Sequence, residues 1–191
     1  MLVPPLSLAT KDFVVEHLEA SPENLQLIRD FACSNNAMGL ELYLKHQALD
    51  DERMGQSRTY LVKDALTRDL ACYFSLRTCL IPYVVREKRI NLSAIELANF
   101  AVNDNYRRSQ RAIAKIGEYV FVEIIRPLAK HISTCVGAGW LCVFALPRER
   151  LLDYYEKKLG FIRLPADKET FVHGNVKPEY DKDCIFMYQR I

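Results

Sequence analysis

The stretch FAVNDNYRRSQRAIAKIGEYVFVEII, Phe100 to Ile125, passes from a strand to a helix through a basic joint. The joint carries Arg107, Arg108, Arg111 and Lys115 but a single glycine, Gly117. A helix start leaves N–H groups unpaired, and its dipole favours negative charge there. Phosphate can occupy that end with no side-chain ligand. Glycines in such joints let phosphate come close to the main chain. The groups on offer are Ala112, Ile113, Ala114, Lys115, Ile116 and Gly117. The alanines keep some of the closeness, and Arg111 and Lys115 add charge. The same residues read more simply as a solvated basic turn. Two further places carry chemistry. Glu96, in SAIELANF, is a carboxylate in an otherwise apolar strand, which is costly unless it is paired or solvated. Tyr154 and Tyr155, in DYYEK, sit on a helix whose spacing puts Leu151, Tyr155 and Leu159 on one face. Tyr154 points about 100 degrees away. Without context, both tyrosines read as packing residues of an amphipathic helix.

The bulk composition bounds what these residues serve. The chain has 191 residues, enough for one domain, placed at 1–191, with a real core. Half of it is hydrophobic and 26% is charged, a globular balance. The 26 basic and 24 acidic residues leave a net charge of +2, which gives no global case for nucleic acid. No apolar run approaches a membrane span, and the start MLVPPLSLATKD lacks the pattern of a signal peptide. Cysteines at 33, 72, 79, 135, 142 and 184 form no Cys-x-x-Cys pair and lie mostly in apolar runs. They read as reduced thiols of a cytoplasmic protein. The histidines, at 17, 46, 131 and 173, are not spaced as metal ligands, so no metal site is expected.

The elements that must position the chemistry follow from periodicity. Leu25 to Ile28 reads as a short first strand, with LSLATKDFVVEHL before it as an irregular lead-in or short helix. NNAMGLELYLKHQALDDERM reads as one helix, with Leu40, Tyr43, Leu44 and Ala48 on one face. SRTYLVKD and LACYFSLRTCLIP read as a hairpin closed by ALTRD, the second strand ending at proline. INLSAIELANFAV is a third strand. Residues 111–131 carry Ile116, Val120, Ile124 and Leu128 at four-residue spacing, a helix bent near its end by Pro127. WLCVFAL is a strand apolar on both faces, RERLLDYYEKKLG a helix stopped by Gly160, and DCIFMYQRI a terminal strand. A strand-helix-strand unit after an antiparallel hairpin predicts a mixed α/β sheet.

Three stretches together resemble the GNAT family of N-acetyltransferases. NLSAIELANFAV looks like the family's central strand, and AIAKIGEYVF looks like its Arg/Gln-x-x-Gly-x-Gly pyrophosphate loop and following helix. LLDYYEKKLGF is similar to its tyrosine helix and Gly-Phe stop. Their order and spacing agree with the family. The front of the chain, FACSNNAMGLELYLKHQALDDERMGQSRTYLV followed by ACYFSLRTCLI, is similar to the toxin-like branch of toxin–antitoxin systems. The resemblance covers roughly residues 25 to 190.

What the resemblance implies is concrete. The fold would be a GNAT-like acyl-CoA N-acyltransferase fold, a mostly antiparallel central sheet flanked by helices. The activity would be transfer of an acetyl group from acetyl-CoA to a primary amine. The Phe100, Ala101, Val102 and Asn103 backbone would face the pantetheine arm. N–H groups from Ile113 to Glu118 would hold the pyrophosphate, and splaying between residues 95–103 and 140–146 would admit the cosubstrate. The departures are local: Ala112 stands where Arg or Gln is usual, and Lys115 where the first glycine is usual.

Acyl transfer to an amine needs a neutral amine, two reactants held together and a stabilised thiolate leaving group. A tyrosine hydroxyl near the sulfur can supply the proton. The family's acid stands four residues before Gly-Phe, where this chain has Glu156. One extra residue within EKKLG makes Tyr155 the first choice and Tyr154 the second. Glu96 either receives the amine proton or serves an ion pair. Asn103 stands where relatives often carry an acid, and an amide cannot act as that base. In the toxin-like branch the acceptor resembles an amino acid on transfer RNA. Arg107, Arg108, Arg111 and Lys115, with Arg86, Lys88 and Arg89 in VREKRI, would suit its phosphates. They would equally suit the CoA 3′-phosphate or plain solvent, and a small amine or peptide amino terminus is an equal acceptor. An antitoxin partner and a homodimer are implied by the resemblance alone. A non-catalytic CoA-binding module with the same fold is the competing class. A nucleotide-binding α/β protein is the weaker third, since its lysine-serine/threonine and dinucleotide patterns are absent.

Overall fold

Strands of β-branched and aromatic residues and capped helices account for most of the chain. The computed structural model describes residues 8–34, 37–109, 111–176 and 183–191. Residues 1–7 of the opening stretch, Asn35 and Asn36 of the expected first helix, and Gln110 of the basic joint lie outside the described residues. The chain divides into two compact units. One holds the described residues up to Arg77 with Ala98–Ile124, and the other holds Thr78–Leu97 with Ile125–Ile191.

In the first unit, FVVEH is a strand, β1 (Phe13–His17), where the sequence predicted a lead-in or a short helix. Its register with β2 (Arg58–Asp64) is antiparallel from Phe13 opposite Asp64 to His17 opposite Tyr60. Cross-strand pairing decides the matter, because Phe13 is fully buried. Leu25 to Ile28, predicted as a strand, lies inside α1 (Pro22–Arg29). The start signals are local: Ser21 Oγ accepts the Asn24 N–H at 3.1 Å, Pro22 opens the first turn and Glu23 complements the dipole. The predicted single helix is two, α2 (Met38–His46) and α3 (Ala48–Met54), broken at Gln47. The break lets Leu44 and Ala48, one on each side, enter the same core with Phe31, Leu61, Tyr73 and Ala101. α3 stops at Gly55, whose φ of 71° suits glycine.

β2 pairs antiparallel with the start of β3 (Leu70–Val85) across the expected turn. Asp64 organises that turn. Its Oδ1 accepts the N–H groups of Leu66 at 2.9 Å and Thr67 at 3.1 Å. Its Oδ2 accepts the Tyr106 hydroxyl at 2.8 Å and Arg111 Nε at 3.0 Å. Burial alone would push this carboxyl up, but Arg111, Tyr106 and the two N–H groups outweigh it and hold it well below the usual carboxylate range.

β3 does not end at Pro82 as predicted. It runs on to Val85 and turns at Arg86 and Glu87, both at positive φ, into β4 (Lys88–Val102). Proline costs a strand only the bond its missing N–H would make. α4 (Asp104–Arg107) follows β4, and α5 (Ile116–Val120) starts later than the predicted helix.

Past α5 the helix widens into a π-turn, Phe121–Ile125, and continues as α6 (Arg126–Val136). The π-turn ends two residues before Pro127, where the sequence predicted a bend. Proline donates no N–H to the carbonyl four residues back, and a π-turn absorbs the misfit. In the second unit, β5 (Trp140–Ala145) pairs parallel with β4 over Ala94–Glu96 and Trp140–Cys142. α7 (Glu149–Lys157) precedes Gly160, at φ 78°. β6 (Ile162–Arg163) and α8 (Ala166–Val176) were not foreseen, the first being too short and the second burying only Val172. β7 (Ile185–Arg190) pairs antiparallel with β5 over six residues and with β6 over two. Ile81, Ala94, Cys142, Val172 and Phe186 form this unit's core. The strand order is β1-β2-β3-β4-β5-β7-β6, a mostly antiparallel sheet with one parallel pair. Among the described residues no helix is long and apolar enough to cross a membrane.

Asp64→Asn keeps the shape but not the charge, and should cost about 2 kcal/mol, the range for a hydrogen bond to a buried charged group. The readout is a lower urea midpoint at pH 7 with an unchanged slope. The folded carboxyl titrates below its unfolded value of about 3.9, so the stabilisation is complete above about pH 5 and is lost as pH falls. The gap between wild type and variant should narrow from pH 7 to pH 3; a constant gap would count against the network. At Gly160 an added Cβ would meet only Arg126 Nη2 at 3.7 Å, an ordinary contact. Gly160→Ala should therefore cost only the left-handed backbone strain, about 1 kcal/mol, read as a lower Tm.

Candidate functional site

The joint between β4 and α5 belongs to the first unit. Asn103 ends the strand and caps α4: its Oδ1 accepts the Asn105 N–H at 3.0 Å and the Ala32 N–H at 3.3 Å. Its Nδ2 donates to the Leu70 carbonyl at 2.8 Å. Its own N–H donates to the Ala71 carbonyl at 2.9 Å, and its carbonyl accepts the Arg107 N–H at 2.9 Å. The main chain of Asn103 is thus engaged within the fold. Phe100 and Val102 are half-buried and Ala101 is buried in the core.

The basic residues divide by what they touch. Arg111 is tied to Asp64, although the side chain is 46% exposed. Arg107 lies 3.4 Å from Asp104, and Arg108 donates to Asn105 Oδ1 at 2.9 Å. Lys115 is 73% exposed and only 4.0 Å from Glu118. Ala112 donates its N–H to the Ser109 carbonyl at 3.3 Å. Ala112 and Ile113 are half-buried, and Ala114 is exposed.

Lys115 caps α5 in the left-handed conformation, φ 57° and ψ 39°. That conformation costs an L-residue about 1 kcal/mol or more, which is why glycine is favoured there. The lysine adopts it and turns its side chain to solvent. Its carbonyl accepts the Tyr119 N–H at 3.1 Å. The N–H groups of Ile116, Gly117 and Glu118 therefore precede that first helical bond, as the start of a helix dictates. Ile116 is buried and anchors the turn, while Gly117 and Glu118 are half-buried. Three amides at a helix start, one glycine and one exposed ammonium suit a pyrophosphate in kind.

The other candidates belong to the second unit. Glu96 is 1% exposed and stands opposite Cys142 in the last registered pair of the β4–β5 ladder. The parallel pairing spans three residues, Ala94–Glu96 with Trp140–Cys142. Tyr155 is buried, edge-on to Phe161 at 5.4 Å and to Tyr154 at 6.2 Å. Burial, with a smaller effect of Tyr154, pushes its hydroxyl pKa well up, so it stays protonated. Tyr154 is half-buried.

The end of α7 bears on the extra residue in EKKLG. The Tyr154 carbonyl accepts the N–H groups of both Lys158, at 3.0 Å, and Leu159, at 3.2 Å. The Phe161 N–H returns to the Tyr155 carbonyl at 3.0 Å, six residues back. A Schellman ending spans about five. The turn at the end of α7 is one residue wider than that.

Two residues that hold these parts escaped the sequence reading. Asp64 carried a local signal, an aspartate opening a turn, but nothing marked its reach to Arg111. Arg126 carried none, and its Nη2 donates to the Leu159 carbonyl at 2.6 Å.

Known proteins add the following. No family model and no curated protein sequence matches the chain. Its likeness is to solved structures. A tyrosine-to-phenylalanine mutant of the toxin AtaT, bound to the C-terminus of the antitoxin AtaR and acetyl-CoA, is 21% identical with a TM-score of 0.59, covering 92% of each chain. AtaT complexed with acetyl-methionyl-tRNAfMet is 19% identical with a TM-score of 0.59, covering 92% of this chain and 94% of that one. A tyrosine-to-phenylalanine mutant of KacT is 16% identical with a TM-score of 0.61, covering 94% of this chain and 95% of that one. The chain therefore has the fold of these toxins, the GNAT-like acyl-CoA N-acyltransferase fold that its central strand, basic joint and tyrosine helix had led us to expect.

Proposed function

We propose that the protein is an acetyl-CoA-dependent N-acetyltransferase of the toxin type. The observation that carries this reading is the shared fold with AtaT over 92% of the chain, AtaT having been solved with acetyl-CoA and with an acetylated aminoacyl-tRNA. The α5 start supports it with the amides of Ile116, Gly117 and Glu118 and the exposed Lys115. Acetyl-CoA, as cosubstrate, supplies a thioester whose carbonyl carbon accepts the amine.

In this reading the amides from Ile113 to Glu118 hold the pyrophosphate, with Lys115 facing its charge. The Phe100 to Val102 backbone lies along the pantetheine. The amine attacks the thioester carbon, the C–S bond breaks with its electron pair going to the sulfur, and the sulfur takes a proton from Tyr155. A phenol held neutral by burial is in the right state to donate. Tyr154 is the second candidate. Glu96 receives the proton that the amine sheds. The acceptor is the α-amine of an amino acid carried on transfer RNA, with Arg107, Arg108 and Lys115 meeting phosphate. A separate antitoxin chain and a homodimer complete the proposal, and its substrates place the reaction in the cytoplasm. One observation favours the competing reading of a non-catalytic CoA-binding module: a lysine occupies the left-handed position that glycine fills in the family loop.

The decisive measurement is transfer from labelled acetyl-CoA to aminoacyl-tRNA, a small amine and a peptide amino terminus. We expect transfer to the first. CoA binding with no transfer to any of the three would establish the competing reading. Tyr155→Phe should lower kcat by about 100-fold, the usual scale of one general acid, while the acetyl-CoA Kd from calorimetry stays within about twofold. The same loss in Tyr154→Phe instead would move the acid by one residue. Lys115→Glu should raise the KM for acetyl-CoA by about tenfold with kcat little changed, since it reverses a charge at the phosphate end. An unchanged KM would remove Lys115 from the cosubstrate site.

A further inference from the structure

The Leu159 carbonyl, just beyond the end of α7, accepts two side-chain donors from elsewhere in the second unit. Arg126 Nη2, at the start of α6, donates at 2.6 Å, and Gln189 Nε2, on β7, donates at 3.3 Å. Leu159 is fully buried and Gln189 nearly so. A carbonyl past a helix end has no partner within the helix, and leaving one unpaired in the interior is costly. The two donors meet that need at the residue where the chain reverses. Gly160 makes the reversal, and Phe161 then returns its N–H to the Tyr155 carbonyl and its ring to the Tyr155 ring. The contacts form one connected series: Arg126 and Gln189, the Leu159 carbonyl, Gly160, Phe161, Tyr155. The guanidinium also stands at the negative end of the α7 dipole, which favours a cation there.

We infer that Arg126, assisted by Gln189, is a positioning residue that sets the tyrosine of α7 for proton donation. This rests on the reading of Tyr155, or Tyr154, as the acid. Arg126 acts through the Leu159 carbonyl and the reversed chain and is assigned no contact with the reacting atoms. The extra residue in the turn gives the clamp its purpose. A wider turn has more freedom than a standard helix stop, and two external donors remove it. A displacement of about 1 Å at a reacting group costs up to about 100-fold in rate, so a clamp remote from the chemistry can register in kcat.

The test uses the full chain with acetyl-CoA and the acceptor identified above, in five variants besides wild type. Arg126→Ala should lower kcat by about tenfold or more while the acetyl-CoA Kd stays within about twofold. Arg126→Lys, which can still reach the carbonyl, should restore most of the loss. Amide hydrogen exchange across residues 158–161 should quicken in Arg126→Ala and recover in Arg126→Lys. A folded Arg126→Ala protein with wild-type kcat overturns the inference, as does a loss carried by the Kd. Where Arg126→Ala does not fold, Gln189→Leu decides: faster exchange with lower kcat supports the clamp, and faster exchange with unchanged kcat overturns it. Tyr154→Phe and Tyr155→Phe, measured in parallel, separate the two layers. If both keep full kcat, the tyrosine reading fails; if one loses it and Arg126→Ala does not, only the clamp fails.

Discussion

One buried carboxylate, Asp64, holds the first unit's functional end together. Its two oxygens face different tasks: one closes the β2–β3 turn, and the other ties Tyr106 and Arg111. A charge in that position is tolerable because four donors surround it. The consequence is positional. Tyr106 and Arg111 both lie within the basic joint, so two of its residues are tied to the end of β2. Asn103 makes a second fastening, to Leu70 and Ala71 of β3 and to Ala32. The joint that meets phosphate in the proposed reaction is thus tied to the fold at these residues, while the Lys115 side chain is 73% exposed.

The loop departs from the family pattern in residue type more than in geometry. Glycine is used where φ is positive, and Lys115 takes that conformation at its own cost. The helix amides that follow do not depend on which side chain precedes them. A lysine there trades conformational ease for an exposed cation beside the helix start. At α7 the departure is one of length, and the longer turn is closed by donors from α6 and β7. In both places the change in sequence is absorbed by a local hydrogen-bond pattern, and the element it adjoins keeps its course.

The elements with strong period were legible in the sequence: SRTYLVKD, LACYFSLRTCLIP, INLSAIELANFAV, WLCVFAL and the helix of DYYEK all form with the predicted type, the second running past its predicted end at Pro82 to Val85. The failures cluster where a tertiary partner outweighed the local pattern. FVVEH became a strand because β2 offers it a ladder, and the expected helix after Ala37 broke at Gln47 because Leu44 and Ala48 share one core. Leu25 to Ile28 is a different kind of miss, since Ser21, Pro22 and Glu23 already spelled a helix start and only the apolar run suggested a strand. α8 gave little signal because one buried residue, Val172, makes no stripe. In the candidate site, the joint, Glu96 and the tyrosine pair were visible as residue types at telling spacings. Asp64 and Arg126 were not, because each acts on a residue more than thirty positions away.

By itself the sequence determined a mixed α/β sheet, a helix start with few glycines and several cations, a tyrosine helix with one residue too many before Gly160, and the likeness of all three to one family. These are matters of local pattern and order, which a chain carries along its length. Only the tertiary structure decided which cations are already spent, that Asn103 serves the fold with both its side chain and its main chain, that Lys115 takes the glycine's conformation, and that the lengthened turn is closed on Arg126 and Gln189. The physical reason is that a hydrogen bond is made between atoms brought together by packing, and sequence separation carries no information about which distant donor will find a given carbonyl or carboxylate.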